Sequence, residues 1–559
     1  MLTPTLRHLF PGTLAFSLLL TLAACGGSSG GGPGPRPQVQ EDTSPAEFSF
    51  EAETGVEPGA TVKASSFSVD GINVPVTVSV DGGEYAVNGN ESFTSESSEV
   101  RENDKIVLQA TAPDEPGATK EVTLTIGDTS ATWAITTLED TEAPEAAFAF
   151  PPPMTATDAE TLTVRGTSDD DYSAVASVTL TVEGESGSIQ TYAADTENDF
   201  EGWSKTVSLE QGDNQIRVSA EDAQGNAIEE ADVVQVSRQP FAESFPDNEV
   251  PFTDIRDVTF DEKRNRILVP VLSENAEGDP IGEIVSIDYE TSERSVFFNA
   301  ESMIGDDSEV IRIFHSITID PEQKGALLGV GSNNNSRIVS VDLDTAEYTT
   351  VSRSYIPETD QPTHHRVVSI VSDPKGDDHT YTLSSGDGNL LRINLNTGER
   401  TVVSSSDYGV GTGDDLWGAE SMVVMPDGKV AYASGSASST LFRINLTSGD
   451  REIVDIAGFP FYQEGSDFFS LHDIVLNEEG NKLYISTHFA GIVTYHTEDQ
   501  QWGTVREFEL DTRFGRNMDV DLHLDEENRS LLFADPKTDG VYALDLDTKE
   551  YVIVSKSVN

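Results

Sequence analysis

Only one cysteine, Cys25, occurs in the 559 residues, so no intrachain disulfide can brace this fold. Basic residues are also scarce: 34 Lys and Arg stand against 98 Asp and Glu, a formal net charge of −64. That imbalance excludes nucleic acid as a partner, because binding to phosphates depends on Lys and Arg neutralising them. The apolar run Leu14 to Leu22 is too short to span a bilayer. No twelve-residue Asp-x-Asp-x-Asp-Gly loop ending in Glu is present. The acidic residues are interspersed among strand-like and turn-like segments, which suits a solvated folded surface adapted to salt; the alternative is many weak calcium sites between carboxylates. Histidine is absent from a long stretch: apart from His8, all of it lies between His315 and His523. Recognition or chemistry is therefore expected in the C-terminal half rather than before it.

What is present is a repeat. From about residue 257 onward one phrase recurs six times: a short apolar strand ending in Asp or Asn, a turn, a second strand, a loop, and a strand closing on a turn such as Asp-Leu-Asp-Thr. Examples are SITIDPEQKGALLGV followed by IVSVDLDTAEYTTVS, and DLHLDEENRSLLFAD followed by VYALDLDTKEYVIVS. A spacing of roughly 50 residues with four short strands per copy is the period of a propeller blade. Residues 246–559 are accordingly expected to form a six-bladed β-propeller.

Two segments precede it. Residues 46–138 and 142–240 alternate apolar and polar residues in short runs separated by Gly, Asn and Asp, which predicts two β-sandwiches. In the second, Val207 and Leu209, then Ile216, Val218 and Ala220, fall on one face by period two. Its Trp203, Leu209, Gly212-Asp213-Asn214, Ala220, Asp222 and Gly225-Asn226 resemble bacterial immunoglobulin-like domains of surface proteins. The expected fold class is thus all-β: two Ig-like β-sandwiches, acting as spacers, followed by a six-bladed β-propeller.

The N-terminus carries a different kind of signal. Arg7 and His8 precede the apolar run, and the pattern over residues 1–24 reads as a secretory signal peptide. It ends in Leu22-Ala23-Ala24-Cys25, which resembles the bacterial lipobox. The resemblance implies cleavage before Cys25, acylation of that residue (palmitate among its acyl chains), and anchoring in a membrane. Gly26 follows where lipoproteins kept at the inner membrane commonly carry Asp, so the outer membrane is the expected location. Residues 25–45, rich in Gly, Ser and Pro, read as a flexible tether.

Aligning the six copies selects the residues at the propeller mouth. With Asp261, Asp320, Asp373, Met425, Asn477 and Asp525 in register, Arg256, His315, Val368, Glu420, His472 and Val520 stand at the entrance. One step inward lie Asp257, Ser316, Ser369, Ser421, Asp473 and Asp521, residues suited to capping backbone amides at strand ends. His488 ends the second strand of blade five and belongs near His472, and Asp535 occupies the matching place in blade six. Neighbouring loops hold His364, His365, Asp415 and Trp417, with an aromatic stretch from Gly458 to Leu471. These residues are candidate contacts for a glycan, peptide or small-molecule ligand. His315, Glu420, His472 and His488 are candidate ligands of one divalent metal, and Glu420, His472 and His315 are the candidate catalytic residues.

The repeat length and the Asp-Pro, Asp-Gly and Asp-Leu-x-Thr turns resemble the gluconolactonase and regucalcin, strictosidine synthase-like and NHL-repeat propellers. The lactonases among them imply one divalent cation, usually calcium, held at the mouth by Glu, Asn and Asp. This chain departs from that set, with Arg256 where their Glu would fall and His315 where one Asn would fall; nitrogen ligands favour zinc or another transition metal. Two functions follow as expectations: a lipid-anchored envelope protein whose propeller presents a binding face, or an exported metal-dependent lactonase- or esterase-like hydrolase.

Overall fold

A computed structural model describes residues 40–558, except 197, 199, 247–249, 275–277, 304–312, 321, 332–335, 355–360, 377, 436–439, 457, 461–469, 489–490 and 508–519. Cys25, the residues 1–24 read as a signal peptide and the centre of the aromatic stretch therefore lie outside the described residues. The chain divides into two compact units, one made of residues 1–114 and 118–138, the other essentially residues 139–559.

The first unit is a two-sheet sandwich. The strand Lys105–Thr111 shows how its sequence builds it: Ile106, Leu108 and Ala110 are buried while the residues between them face outward. These side chains meet Tyr85, Leu124 and Trp133 in one apolar core between a five-stranded and a four-stranded sheet.

The second unit is all-β as well. Its propeller consists of six four-stranded blades, each formed from consecutive strands running outward from the channel. The innermost strands are Thr259–Asp261, Phe314–Ile319, Val367–Ser372, Ala419–Val424, Leu471–Leu476 and Asp521–Asp525. Each approaches the next around the ring, and the first also approaches the last, so the ring closes. Strands in the middle of a blade are covered on both faces by neighbouring blades and are buried throughout, as in Gly325–Val330, Ser530–Asp535 and Gly540–Asp545. Hence their sequences read as apolar runs instead of alternating ones.

The repeated turn between the third and fourth strands has a hydrogen-bond cause. Asp342 Oδ1 accepts the amides of Asp344 and Thr345 at 3.0 and 2.8 Å, Asn394 does the same for Asn396 and Thr397, and Asp545 for Asp547 and Thr548. Asp and Asn place a side-chain oxygen at this reach, where it accepts amides two and three residues ahead. Directly after three of these turns stands a buried arginine that ties its blade to the preceding one. Arg451 donates to the carbonyls of Asp414, Val410 and Gly413 and to the hydroxyls of Ser404 and Ser406. Arg400 donates to the carbonyls of Arg353 and Ser354. Arg294 closes the ring in the same manner, donating to Ser555 Oγ and the Lys556 carbonyl of blade six.

The second sandwich differs from the expected separate spacer. Its strand Met154–Thr157 pairs in parallel with Ala227–Arg238 on one side and antiparallel with Tyr551–Lys556, the outer strand of blade six, on the other. One nine-stranded sheet therefore runs from the sandwich into the propeller. The pairing is short, with Ala156 opposite Ile553, but it covers an edge that would otherwise offer unpaired amides. A single apolar cluster continues across the junction, from Val218 and Val236 of the sandwich to Val271, Val541 and Val552 of the propeller. Phe245, in the connecting segment, adds a backbone bridge to Lys556.

Candidate functional site

The inner ring of small polar residues is built into the blade packing. Asp257 Oδ2 accepts the Ile317 amide at 2.8 Å, Ser369 Oγ the Met422 amide at 3.2 Å, and Asp473 Oδ2 the Leu522 amide at 2.7 Å. In each case a residue of one blade caps the inner strand of the next. A second row does likewise: Ser434 Oγ donates to the His472 carbonyl and Ser486 Oγ to the Val520 carbonyl. These bonds narrow the channel to a cavity of about 160 Å³. They also gather carboxylates away from water. Burial, and then the charges of Asp521 and Asp473, hold the Asp257 carboxyl well above its ordinary pKa; burial raises that of Asp473.

Above the ring the channel widens into a mouth of about 430 Å³ to which all six blades contribute. Asp254, Ile255 and Arg256 come from the segment entering blade one, His315 from blade two, and Arg366 and Val368 from blade three. Across from them stand Glu420 of blade four, Ser470, His472 and His488 of blade five, and Asp521 and Pro536 of blade six. The side chains are arranged by the pleat: residues two apart on an extended segment point the same way, so the stretches entering the inner strands of blades one, three and five each deliver a pair, Asp254 with Arg256, Arg366 with Val368 and Ser470 with His472.

Charge is divided across this mouth. Arg256 is paired with Asp254, while the Arg366 side chain makes no hydrogen bond or ion pair among the described residues. His315 lies close to both arginines; burial first, then the charges of Arg366 and Arg256, lower its pKa to about 4, so the imidazole is neutral at physiological pH. Its Nε2 is buried without a hydrogen-bond partner among the described residues. On the far side His472 Nε2 lies 3.4 Å from Asp521 Oδ1, an arrangement in which a carboxylate orients an imidazole.

The structure thus brings Arg256, His315, Glu420, His472 and His488 into one cavity and leaves the other sequence candidates out of it. His364 is fully buried between blades, 3.4 Å from Ser352 Oγ, with burial holding its pKa down to about 3. Asp535 is also fully buried and accepts hydrogen bonds from the Lys537 amide and the Thr538 hydroxyl, so that its neighbour Pro536 lines the mouth instead. His365 sits 3.9 Å from Asp387. Asp415 accepts the Trp417 amide at 2.8 Å, and Trp417 is 63% exposed outside the cavity. Arg366, Ser470 and Asp254 were not selected by aligning the copies on single positions. Each lies two residues before an aligned position, and the period of an extended chain is the signal that finds them.

The donors suited to a metal are not tightly clustered at the mouth. Among the described residues, the one group of three or more His, Cys, Asp or Glu whose ligand atoms all lie within 4.8 Å of one another is Asp140, Asp170 and Asp222, in the second sandwich. All three already act as turn caps: Asp222 Oδ1 accepts the amides of Gln224 and Asn226, Asp170 Oδ1 those of Tyr172 and Ser173, and Asp140 Oδ1 that of Glu142. His315, Glu420, His472 and His488 form no such group.

Comparison with known proteins places the second sandwich: residues 144–238 match the model of the family described as glucodextranase, domain B. No curated protein matches the chain in sequence. Among solved structures, the periplasmic gluconolactonase of Pseudomonas aeruginosa is similar with a TM-score of 0.37 at 14% identity, covering 68% of this chain and 97% of that one. A protein of unknown function from Bacteroides thetaiotaomicron gives a TM-score of 0.39 at 11% identity, covering 74% and 99%. A chain of the nidogen/laminin complex gives 0.37 at 12%, covering 53% and 93%.

Proposed function

We propose that the propeller mouth is the functional face of a lipid-anchored envelope protein and binds a small polar ligand or the end of a glycan. The observation that carries this reading is the convergence of Arg256, His315, Arg366, Glu420, His472 and His488 on one cavity of about 430 Å³. Side chains at matching places in a repeat differ there, whereas the turns and ring residues that build the blades recur. The volume accommodates a monosaccharide or a molecule of similar size, and the lining is mostly polar, with Ile255, Val368 and Pro536 as its apolar part. The match of the second sandwich to a glucodextranase domain supports a carbohydrate setting. In this reading Cys25 carries the lipid and residues 26–45 give reach from the outer membrane.

A second reading, an exported lactonase- or esterase-like hydrolase, is favoured by the His472–Asp521 pair, in which the carboxylate would orient the imidazole as a general base toward a bound water. Metal assistance at His315, Glu420, His472 and His488 would require those side chains to close up.

The two are separated by one set of measurements on the full-length protein in detergent. Binding to an array of sugars and envelope glycans, lost in Glu420→Gln and His472→Ala variants, supports a binding face. Turnover of aldonolactones or simple esters that disappears in His472→Ala supports the hydrolase. An array that shows no binding, with no turnover, overturns both. Anchoring is tested separately: Cys25→Ser is expected to move the protein from the membrane fraction to the soluble one, and retention in the membrane would overturn it.

A further inference from the structure

Basic side chains are few in this protein, and many of those in the propeller are committed. Arg294, Arg400 and Arg451 tie blades together, and Arg264, Arg266 and Arg392 pair with the blade carboxylates Asp261 and Asp373. Arg366 is different. It lines the mouth, and its guanidinium makes no hydrogen bond or ion pair among the described residues. Its backbone is held at φ +52°, and that of Asp254, across blade one, at +50°. These are left-handed conformations that side-chain-bearing residues seldom adopt, and such outliers concentrate at binding sites. Arg366 and Arg256 both lie near His315, whose Nε2 has no hydrogen-bond partner among the described residues.

We infer that the mouth recognises a carboxylate on a hydroxylated ligand, that is, a uronic acid or sugar acid, with Arg366 as its principal anchor. The inference rests on the reading of the mouth as a small-molecule site and names its ligand class. Three observations make up the argument. First, donors from blades one to three converge on one side: Arg366 and Arg256 supply guanidinium N–H groups, whose planar fork fits a carboxylate, and neutral His315 supplies one further polar atom. Second, the carboxylates that line the mouth among the described residues stand apart from Arg366: Asp254 is held by Arg256, Asp521 faces His472, and Glu420 comes from blade four. Among the described residues, an anion is therefore best placed on the Arg366 side. Third, the opposite wall of Glu420, His472, His488 and Ser470 is composed of groups of both donor and acceptor character, the composition that suits hydroxyl groups.

The test uses the full-length protein in detergent and calorimetric titration with glucuronate, galacturonate, oligogalacturonate, glucose and aspartate. The expected result is that a uronate binds at least tenfold more tightly than glucose and aspartate. Arg366→Gln should lower that affinity at least tenfold, and Arg366→Lys should restore part of it. Tighter binding of oligogalacturonate than of the monomers assigns the ligand to a polysaccharide rather than to a free sugar acid, both within the proposal. Equal binding of glucose and uronate, preference for aspartate, or no effect of Arg366→Gln on uronate binding overturns the anionic class while leaving the mouth as the site. If none of the compounds binds, and the His472→Ala and Glu420→Gln variants also lose no binding on the glycan array, the reading of the mouth itself fails.

Discussion

The Arg165 guanidinium of the second sandwich donates through Nε to Asp545 Oδ2 of blade six at 2.5 Å, joining residues 380 positions apart. The Asp545 side chain is fully buried, and Arg165 also donates through Nη2 to the Asn528 carbonyl at 2.7 Å. Next to this pair Thr163 donates its amide to Glu550 at 2.6 Å. Together with the shared sheet and the common apolar cluster, these bonds make the sandwich part of the propeller's own support.

Arg165→Met keeps the apolar stem and removes the charge, leaving Asp545 buried without its cation. The expected loss is about 2–4 kcal/mol, because an uncompensated buried carboxylate costs more than the pair contributes. Urea denaturation followed by tryptophan fluorescence measures it. An unchanged midpoint would show that the junction is held by apolar contact alone.

Within the sandwich, Gly166 permits a close approach that no other residue allows. A Cβ there would lie 2.1 Å from the Ala147 carbonyl oxygen and 2.1 Å from Trp203 Cζ2. Gly166→Ala is expected to cost about 1–3 kcal/mol or more by overpacking, and to alter the fluorescence of Trp203, whose ring stacks edge-on against Phe148. A variant with wild-type stability and spectrum would refute the contact.

Asp257→Asn is expected to be tolerated better near neutral pH than in acid. The amide oxygen can still accept the Ile317 amide, the Val258 amide loses its acceptor Asp257 Oδ1, and the like charges of Asp473 and Asp521 no longer face a third carboxylate. Because the folded-state pKa of Asp257 lies above its unfolded value, its ionisation disfavours the fold as pH rises past the unfolded value. The variant should therefore gain about 0.5–2 kcal/mol relative to the wild type between pH 3 and pH 7–8, on top of a pH-independent cost for the lost Val258 bond. Thermal denaturation at the two pH values decides it; equal shifts at both would count against the charge argument.

His364 makes an opposite contribution on the acid side. Its folded pKa is lowered to about 3 by burial, against an unfolded value of about 6.5. As pH falls from 6.5 toward 3 the unfolded chain takes up a proton that the folded chain refuses, so stability is lost, by at most ~1.4 kcal/mol per pH unit. In His364→Gln that loss should vanish. Plotted against pH, wild-type stability should fall relative to the variant over this window; parallel curves would show that His364 is protonated in the fold.

Part of the architecture was legible along the chain for a local reason. Asp342, Asn394 and Asp545 each cap the amides two and three residues ahead, so the turn that ends each third strand is encoded within four residues. Apolar runs such as Leu531-Leu532-Phe533-Ala534 mark blade centres because both faces of those strands are covered. The buried arginines Arg294, Arg400 and Arg451 carry a signal of the same kind, a basic residue straight after the turn, but their partners lie in the preceding blade and are invisible to a reading that stays within one copy.

The mouth was legible in half. Alignment of equivalent positions located Arg256, His315, Glu420 and His472, since blades related by the repeat place equivalent residues on the same ring. It could not separate His364 from His365 or Arg366: of these neighbours the first is fully buried, the second stands near Asp387, and the third enters the cavity. Which way such residues turn depends on a left-handed backbone at Arg366 and on what the adjoining blades leave open.

By itself, then, the sequence determined the all-β class, the six-fold division of the C-terminal half and the positions of the turns, because alternation, turn capping and repeat length act over a few residues or between identical copies. Only the tertiary structure decided that the second sandwich continues the sheet of blade six and that Arg366, which has no hydrogen-bond or ion-pair partner among the described residues, enters the mouth near His315. Both depend on contacts between segments far apart in the chain, where no local pattern of side chains specifies the neighbour.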